Sequence, residues 1–491
     1  MDRQKSLNKA AWVMLGVGFA AYVFSSGRWN IGVTAWIWPF AFLYFSRQTK
    51  TTGQFLLLAA AIAAGHVIKW SDILDSGYLP GAVFCLFWSV CWILPFLADK
   101  LLAQKLPGAF LSSLIFPAVF VSVECLRART PLGSLGATAY TQAGFLPLMQ
   151  LTSLIGSFGL SFLICWFGAV AVTAIQKRPR WKPAAGVCLA LLAASICFGC
   201  IRLAAFPVGS DNTVRVASIV CPYYEKYEDG TYAEIPTEES LRYFLSEALR
   251  AAQGGAKIAC WNEEAFSVDD ADEPLLLDAA VTFAKEHDMI LIVGYETPDT
   301  DGSENGEAVN KSILVLPDGS VTEYIKTNLI PLVELPGYVT GSGAVPRVAT
   351  PQGVISNVIC FDDTFIGFIR EKANSADVLF VPSWDWSAVK RAHTDLSAFR
   401  AVENGFAVVK PSYGGVSAAI DRQGRVIARF DTADAGFDTV QFAEVPVQGI
   451  PTVYAKIGGA VDLVFLLSGF AAIALGLAVL RRNKYKTEAA A

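Results

Sequence analysis

Histidine is nearly missing from this chain: three occur in 491 residues, His66, His287 and His393. No HExxH is present, and the single CxxC, Cys197 to Cys200, lies inside an apolar stretch with no second such pair, so local spacing offers neither a zincin-type centre nor a zinc ribbon. No metal and no cofactor is expected, and a serine nucleophile would have few histidines to choose from as its base. Charge is scarce as well. Only 17% of residues are charged against 53% hydrophobic, with a mean hydropathy of +0.43, which excludes a disordered chain and a wholly soluble globular one. No lysine-rich run marks a nucleic-acid surface.

What charge there is lies unevenly. Between Phe206 and Lys456 there are 19 Lys and Arg against 37 Asp and Glu, a net of −18; the rest of the chain carries 20 against 7, a net of +13. A basic, very apolar portion around an acidic, water-compatible one predicts membrane helices plus one extramembrane domain large enough for its own core. The expected division is a membrane domain over 1–205, an extracytoplasmic domain over 206–456, one more membrane helix over 457–480 and a basic cytoplasmic tail over 481–491.

Apolar stretches of the ~20 residues needed to cross a bilayer run over 10–26, 29–45, 54–70, 79–97, 109–126, 146–175, 183–203 and 457–480. The third contains His66 and is the weakest. If all eight cross, one side holds fifteen Lys and Arg between Arg3 and Lys486, and the other holds five, Arg28, Lys69, Arg127, Arg129 and Arg202. The positive-inside rule then places both termini in the cytoplasm and the acidic domain outside. The first segment lacks a small-residue cleavage site and reads as an uncleaved anchor.

Seven of the ten cysteines lie within or at the edge of apolar spans, leaving Cys221, Cys260 and Cys360 outside. Cys221 and Cys260 both sit at ends of predicted strands, so a disulfide between them and two free buried thiols are both open. In the acidic domain strands are predicted over 213–220, 257–261, 289–296, 312–316, 354–360 and 378–382. Amphipathic helices are predicted over 238–252, 273–287, 364–373 and 389–404, with hairpin turns at 317–319 and 421–424. This is a layered α/β domain.

Three polar groups stand at the ends of such elements: Glu263 after the strand ending in Trp261, Lys326 after 321–325, and Cys360 closing its strand before a helix. A cysteine there can have its thiolate stabilised by a helix N-terminus and a lysine, while a carboxylate takes its proton. Arg400 and Glu403 read as a helix-packing ion pair.

WNEEAF (261–266), KTNLIPLVE (326–334) and ICFDDTF (359–365), followed by FRAVENGFAVVKPSYGGVSAAIDRQG (399–424), resemble the nitrilase, or carbon–nitrogen hydrolase, superfamily and its Glu, Lys, Cys triad. Such a domain between a seventh and an eighth membrane helix, with ECLR (124–127) and AYTQAGFLPLMQLTSLIGSFGLSFLI (139–164), is similar to the apolipoprotein N-acyltransferases. The fold implied is a polytopic helical membrane domain of about eight spans plus an αββα sandwich.

The resemblance implies Cys360 as acyl-accepting nucleophile, Glu263 as general base, and Lys326 as the cation for the tetrahedral oxyanion. Glu334 would be a further essential carboxylate, and Phe361 and Asp362 stand where that family usually has Tyr and Glu. Asn262 replaces the Pro of a WPE sequence, Tyr227 lies where Trp is common, and KPSYGG (410–415) replaces an Arg-containing stretch. The implied reaction moves an acyl chain from a phospholipid, through a cysteine thioester, to the N-terminal amine of a diacylated apolipoprotein. The setting would be a bacterial inner membrane and the enzyme a monomer. Leu329, Ile330, Leu332 and Phe361 could shield the thioester from water. A membrane-anchored amidohydrolase of a small amide or nitrile is the alternative.

Overall fold

The structure, a computed structural model, describes residues 7–27, 29–71, 87–106, 108–207, 212–221, 224–226, 232–234, 237–298, 307–432 and 440–488. The chain divides into two compact units, one of Met1–Thr130, Ser134–Ala205 and Lys456–Ala491, the other of Pro131–Gly133 and Phe206–Ala455.

In the first unit, five helices among the described residues are long and apolar enough to cross a membrane: Thr52–Lys69, Ala109–Arg127, Thr152–Ile175, Trp181–Ala205 and Val453–Arg482. Lys9–Val23 and Thr34–Gln48 are helical but 15 residues each, or roughly 22 Å at 1.5 Å per residue. Lys9–Val23 ends before the apolar run over 10–26 does, and Thr34–Gln48 starts after the run over 29–45 begins, because the backbone turns left-handed at Gly27 (φ 67°) and Asn30 (φ 41°). Residues 79–86 of the expected span at 79–97 lie outside the described residues, and the helix Leu94–Leu102 begins within the span's last residues.

Ala109–Arg127 and Thr152–Ile175 form the interior of this unit and pack on one another, whereas Trp181–Ala205 and Val453–Arg482 keep most of their apolar side chains at the surface. Gly156 lets Thr152–Ile175 kink, at φ 66° and ψ 178°, a conformation open to glycine alone at low cost. Arg47 and Asp99 make a two-pronged ion pair, Nε to Oδ2 and Nη2 to Oδ1 both at 2.8 Å, with neither side chain reaching the surface. Removing one partner strands the other's charge, so Arg47→Ala is expected to cost about 3–5 kcal/mol. Thermal unfolding of the detergent-solubilised protein checks this, and an unchanged midpoint would show the pair to be dispensable.

The second unit holds β1 (Thr213–Ile219), β2 (Tyr224–Lys226), β3 (Tyr232–Glu234), β4 (Ile258–Trp261), β5 (Ile290–Thr297), β6 (Val309–Val315), β7 (Val321–Ile325) and β8 (Arg347–Thr350). They are followed by β9 (Gly353–Asn357), β10 (Val378–Phe380), β11 (Ser383–Trp384), β12 (Ala407–Lys410), β13 (Ser412–Tyr413), β14 (Val416–Ile420), β15 (Val426–Asp431) and β16 (Val440–Pro446). Two six-stranded sheets form, in the orders β16-β1-β4-β5-β6-β7 and β15-β14-β12-β10-β9-β8. Their centres, β1-β4-β5 and β9-β10-β12, are parallel.

Strand alternation sorts the side chains. Val214, Val216, Ile258, Cys260, Ile290 and Ile292 meet Ile355, Val378, Phe380 and Val409 in one core. Ala217, Ile219, Trp261, Leu291 and Val293 take the other face and pack on the helices Thr237–Gln253 and Glu273–His287. Because both faces are covered, these strands are continuously apolar, and each large side chain so buried contributes ~1.5–3 kcal/mol. Lys390–Asn404 covers β12 and β14 of the second sheet. Helix, sheet, sheet and helix thus make an αββα sandwich. Cys221 and Cys260 are buried and not joined in a disulfide, and Arg400 Nη1 lies 2.5 Å from Glu403 Oε2 in the interior.

Candidate active site

Parallel strands of a layered α/β domain leave their carboxyl ends open to loops, and those loops carry the polar groups here. β4 ends at Trp261, and the next residues turn sharply: Glu264 has φ 47°. Gly294 of β5 makes room for the turn, since a Cβ there would lie 2.3 Å from the Asn262 carbonyl oxygen. Asn262 fastens the turn, accepting the Cys221 N–H at Oδ1 (2.7 Å) and donating from Nδ2 to the Glu263 carbonyl (2.7 Å).

The Glu263 carboxylate, 3% exposed, is held by three donors. Oε1 accepts from Lys326 Nζ at 2.6 Å and Asn310 Nδ2 at 2.8 Å, and Oε2 accepts the Trp384 N–H at 2.8 Å. Lys326, just past β7, also donates to Glu334 Oε1 at 2.5 Å. Burial alone would lower the lysine, but Glu263 and Glu334 outweigh it and hold Lys326 well above the ordinary range. Glu334 Oε2 in turn accepts the Ile330 N–H at 2.6 Å, folding the loop back on itself. Burial raises the Glu334 carboxyl; Lys326 opposes the rise and Glu263 adds to it. Asn310 Nδ2 reaches Glu264 Oε1 too, at 2.9 Å.

Cys360 differs in setting from the expectation. β9 stops at Asn357, and Cys360 opens a five-residue 3-10 turn, Cys360–Thr364, with φ 44°. It therefore does not stand at the N-terminus of an α-helix; Ile366–Lys372 begins later. Its N–H donates to the Pro382 carbonyl (2.8 Å), and its thiol points at the Trp384 carbonyl, Sγ to O 3.7 Å. Burial pushes the thiol well up, Glu263 adds to this, and Lys326 pulls it back. The resting group is a thiol, so the nucleophile is made by removing its proton rather than stored as a thiolate.

The remaining candidates separate. Asp362 joins two loops: Oδ1 accepts the Asn328 N–H and Nδ2, both at 2.8 Å, and Oδ2 accepts the Tyr324 hydroxyl at 2.7 Å and the Ile359 N–H at 3.1 Å. Burial lifts it to about 6 against those hydrogen bonds. It ties the lysine loop to the cysteine turn. Phe361 is half-buried against Phe365, ring centres 5.4 Å apart. Leu329 is buried, but Leu332 is 62% exposed and shields nothing in this structure. Tyr227 lies outside the described residues.

Sequence reasoning missed Asn310, the Trp384 peptide, and a buried set behind the cysteine made of Asp363, Asp385, His393 and Lys410. Among the described residues two groups have metal-like spacing, Glu263 with Glu264 and Glu334, and Cys360 with Asp385 and His393. In the first the Lys326 ammonium already contacts two of the carboxylates. In the second both His393 nitrogens face carboxylates.

Comparison with known proteins fits this geometry. The pattern described as Carbon-nitrogen hydrolase matches residues 215–453, and that described as Apolipoprotein N-acyltransferase N-terminal domain matches 13–170. An apolipoprotein N-acyltransferase of Bradyrhizobium diazoefficiens is 27% identical over 75% of this chain and 73% of its own length. That of Rickettsia typhi is 22% identical over 94% of this chain and 90% of its own. The chain belongs to the apolipoprotein N-acyltransferase family. Among solved structures, an amidase from Nesterenkonia sp. is 18% identical, with a TM-score of 0.41, covering 51% of this chain and 96% of that one. As a member of this family the chain is an enzyme of the carbon–nitrogen hydrolase superfamily with a membrane-embedded part. Its Asn262, in place of the WPE proline, is a fastener of the turn that presents Glu263.

Proposed function

We propose that the protein transfers a fatty acyl chain from a phospholipid to the α-amine of the diacylglyceryl-cysteine that begins an apolipoprotein. One observation carries the reading: a single peptide, Trp384, donates its N–H to Glu263 and faces the Cys360 thiol with its carbonyl. Base and nucleophile are thereby set on one rigid unit. The apolipoprotein N-acyltransferase relatives support the substrates.

In the first step Glu263 takes the Cys360 proton, and the sulfur attacks an ester carbonyl of the phospholipid. Lys326 balances the oxyanion. Collapse expels the glycerol oxygen, which takes up the proton from Glu263 and leaves as lysophospholipid. In the second step the neutral amine attacks the thioester, the amide forms, and sulfur recovers a proton. Both substrates carry acyl chains costing ~0.8 kcal/mol per CH₂ to bring into water, which accounts for a catalytic domain joined to apolar helices. In this reading both termini are cytoplasmic and the catalytic unit faces outward across a bacterial inner membrane.

Incubation of the protein with phospholipid and a diacylated lipopeptide, followed by mass analysis, tests the proposal. A thioester on Cys360 and a triacylated peptide are expected; acyl release to water with no acylated peptide would favour the amidohydrolase. Glu334→Gln keeps the size of the side chain but removes one of Lys326's two anions. Acylation is expected to slow about 10–100-fold, with the folded protein retained. A rate equal to wild type would reduce Glu334 to a loop fastener.

A further inference from the structure

His393 takes no part in the reaction above, yet it is 3% exposed and wholly committed. It projects from Lys390–Asn404 with Nδ1 2.5 Å from Asp385 Oδ1 and Nε2 2.6 Å from Asp363 Oδ1. A neutral imidazole has one N–H, and two carboxylates each need a donor, so this ring carries both protons. The two carboxylates are not incidental. Asp363 belongs to the 3-10 turn that Cys360 opens. Asp385 follows Trp384, whose N–H holds Glu263 and whose carbonyl faces the Cys360 thiol. The free oxygens are fastened as well: Asp363 Oδ2 accepts from Ser397 Oγ at 2.6 Å, and Asp385 Oδ2 accepts from Ser412 Oγ at 2.9 Å and pairs with Lys410 Nζ at 3.3 Å.

We infer that His393 is a positioning residue, an imidazolium clamp that joins the Cys360 turn to the Trp384 peptide and so fixes the nucleophile against its base. The inference rests on the reading of Cys360 and Glu263 given above. The charged and titratable groups around the ring are Asp363 and Cys360 from the turn, Asp385 from the segment after β11, and Lys410 from β12. Burial and Lys410 favour the neutral ring, but Asp385 and Asp363 outweigh them and lift His393 to about 9. The clamp is closed at neutral pH and opens above that value, when one of the two carboxylates loses its donor.

The test is single-turnover acylation of Cys360 by phospholipid, followed by mass on the full-length protein in lipid nanodiscs, from neutral pH to above 9. The wild-type rate should fall in an alkaline limb centred near 9. His393→Gln should slow acylation roughly 100-fold at neutral pH, leave KM for the lipid unchanged and abolish that limb. A wild-type rate, or a slower rate with the limb still in place, overturns the clamp. If His393→Gln does not accumulate as folded protein, Asp363→Asn decides: losing one of the two anions should move the limb to lower pH, and an unmoved limb overturns it. If wild type is not acylated at all, the functional reading fails instead. Alkylation of Cys360 by iodoacetamide, with the same variants and pH series, then tests the clamp independently.

Discussion

Cys360→Ala is expected to form no thioester with phospholipid and no triacylated lipopeptide, a loss of roughly four orders of magnitude or more. The size follows from the division of labour at the site. Glu263, Lys326 and Glu334 can orient a lipid ester and meet its developing charge, but none offers an atom that can take the acyl group and release it to an amine. In the proposed mechanism the acyl-enzyme is an obligatory stage, so both half-reactions vanish together. The backbone adds a second readout. Cys360 holds φ at 44°, which costs a non-glycine residue about 1–3 kcal/mol. Cys360→Gly should therefore be as inactive as Cys360→Ala but melt at a higher temperature. A lipid thioester still formed by Cys360→Ala would remove Cys360 from the mechanism.

Lys326→Met should come second, losing about 1,000-fold in acylation and about 3–5 kcal/mol in stability. Two effects combine. The oxyanion loses its cation, and the carboxyl groups of Glu263 and Glu334, buried with oxygens within 4.8 Å of each other, are left without the ammonium between them. Like charges left unpaired in such a place repel, so Glu263 is no longer held where the proposed mechanism needs its base. Pairing Lys326→Met with Glu334→Gln separates the effects: stability should largely return because the second anion is gone, while acylation stays low. Acylation by Lys326→Met within tenfold of wild type would show that the oxyanion is met elsewhere.

The ends of the sandwich strands were legible because an apolar run breaks where polar chemistry begins. Glu263 and Lys326 stand where that break predicts, and the turns at 317–319 and 421–424 join β6 to β7 and β14 to β15. Cys360 was found by its surroundings, but its local form was not, because a left-handed cysteine leaves no periodic trace in its neighbours. The His393 clamp was invisible for a different reason. Its carboxylates lie 8 and 30 residues away in the chain, and only the packing of Lys390–Asn404 brings them together. In the membrane unit hydropathy located helices but not their ends: Trp181–Ala205 and Val453–Glu488 run past the apolar stretches over 183–203 and 457–480, whereas the left-handed Gly27 and Asn30 shorten the two helices beside them.

Asn262 makes the shape of the site depend on one amide side chain. Its side chain links the end of β1 to the base-bearing turn, and its own N–H donates to the Ile219 carbonyl at 3.1 Å. Proline at this position, the residue of the WPE sequence, has no N–H and no amide group to offer. Asn262→Pro would delete three hydrogen bonds at once, about 0.5–1.5 kcal/mol each. Restoring the common family residue in this chain should therefore weaken the presentation of Glu263 unless other positions change with it. In this chain the shape of the turn depends on the three hydrogen bonds of Asn262.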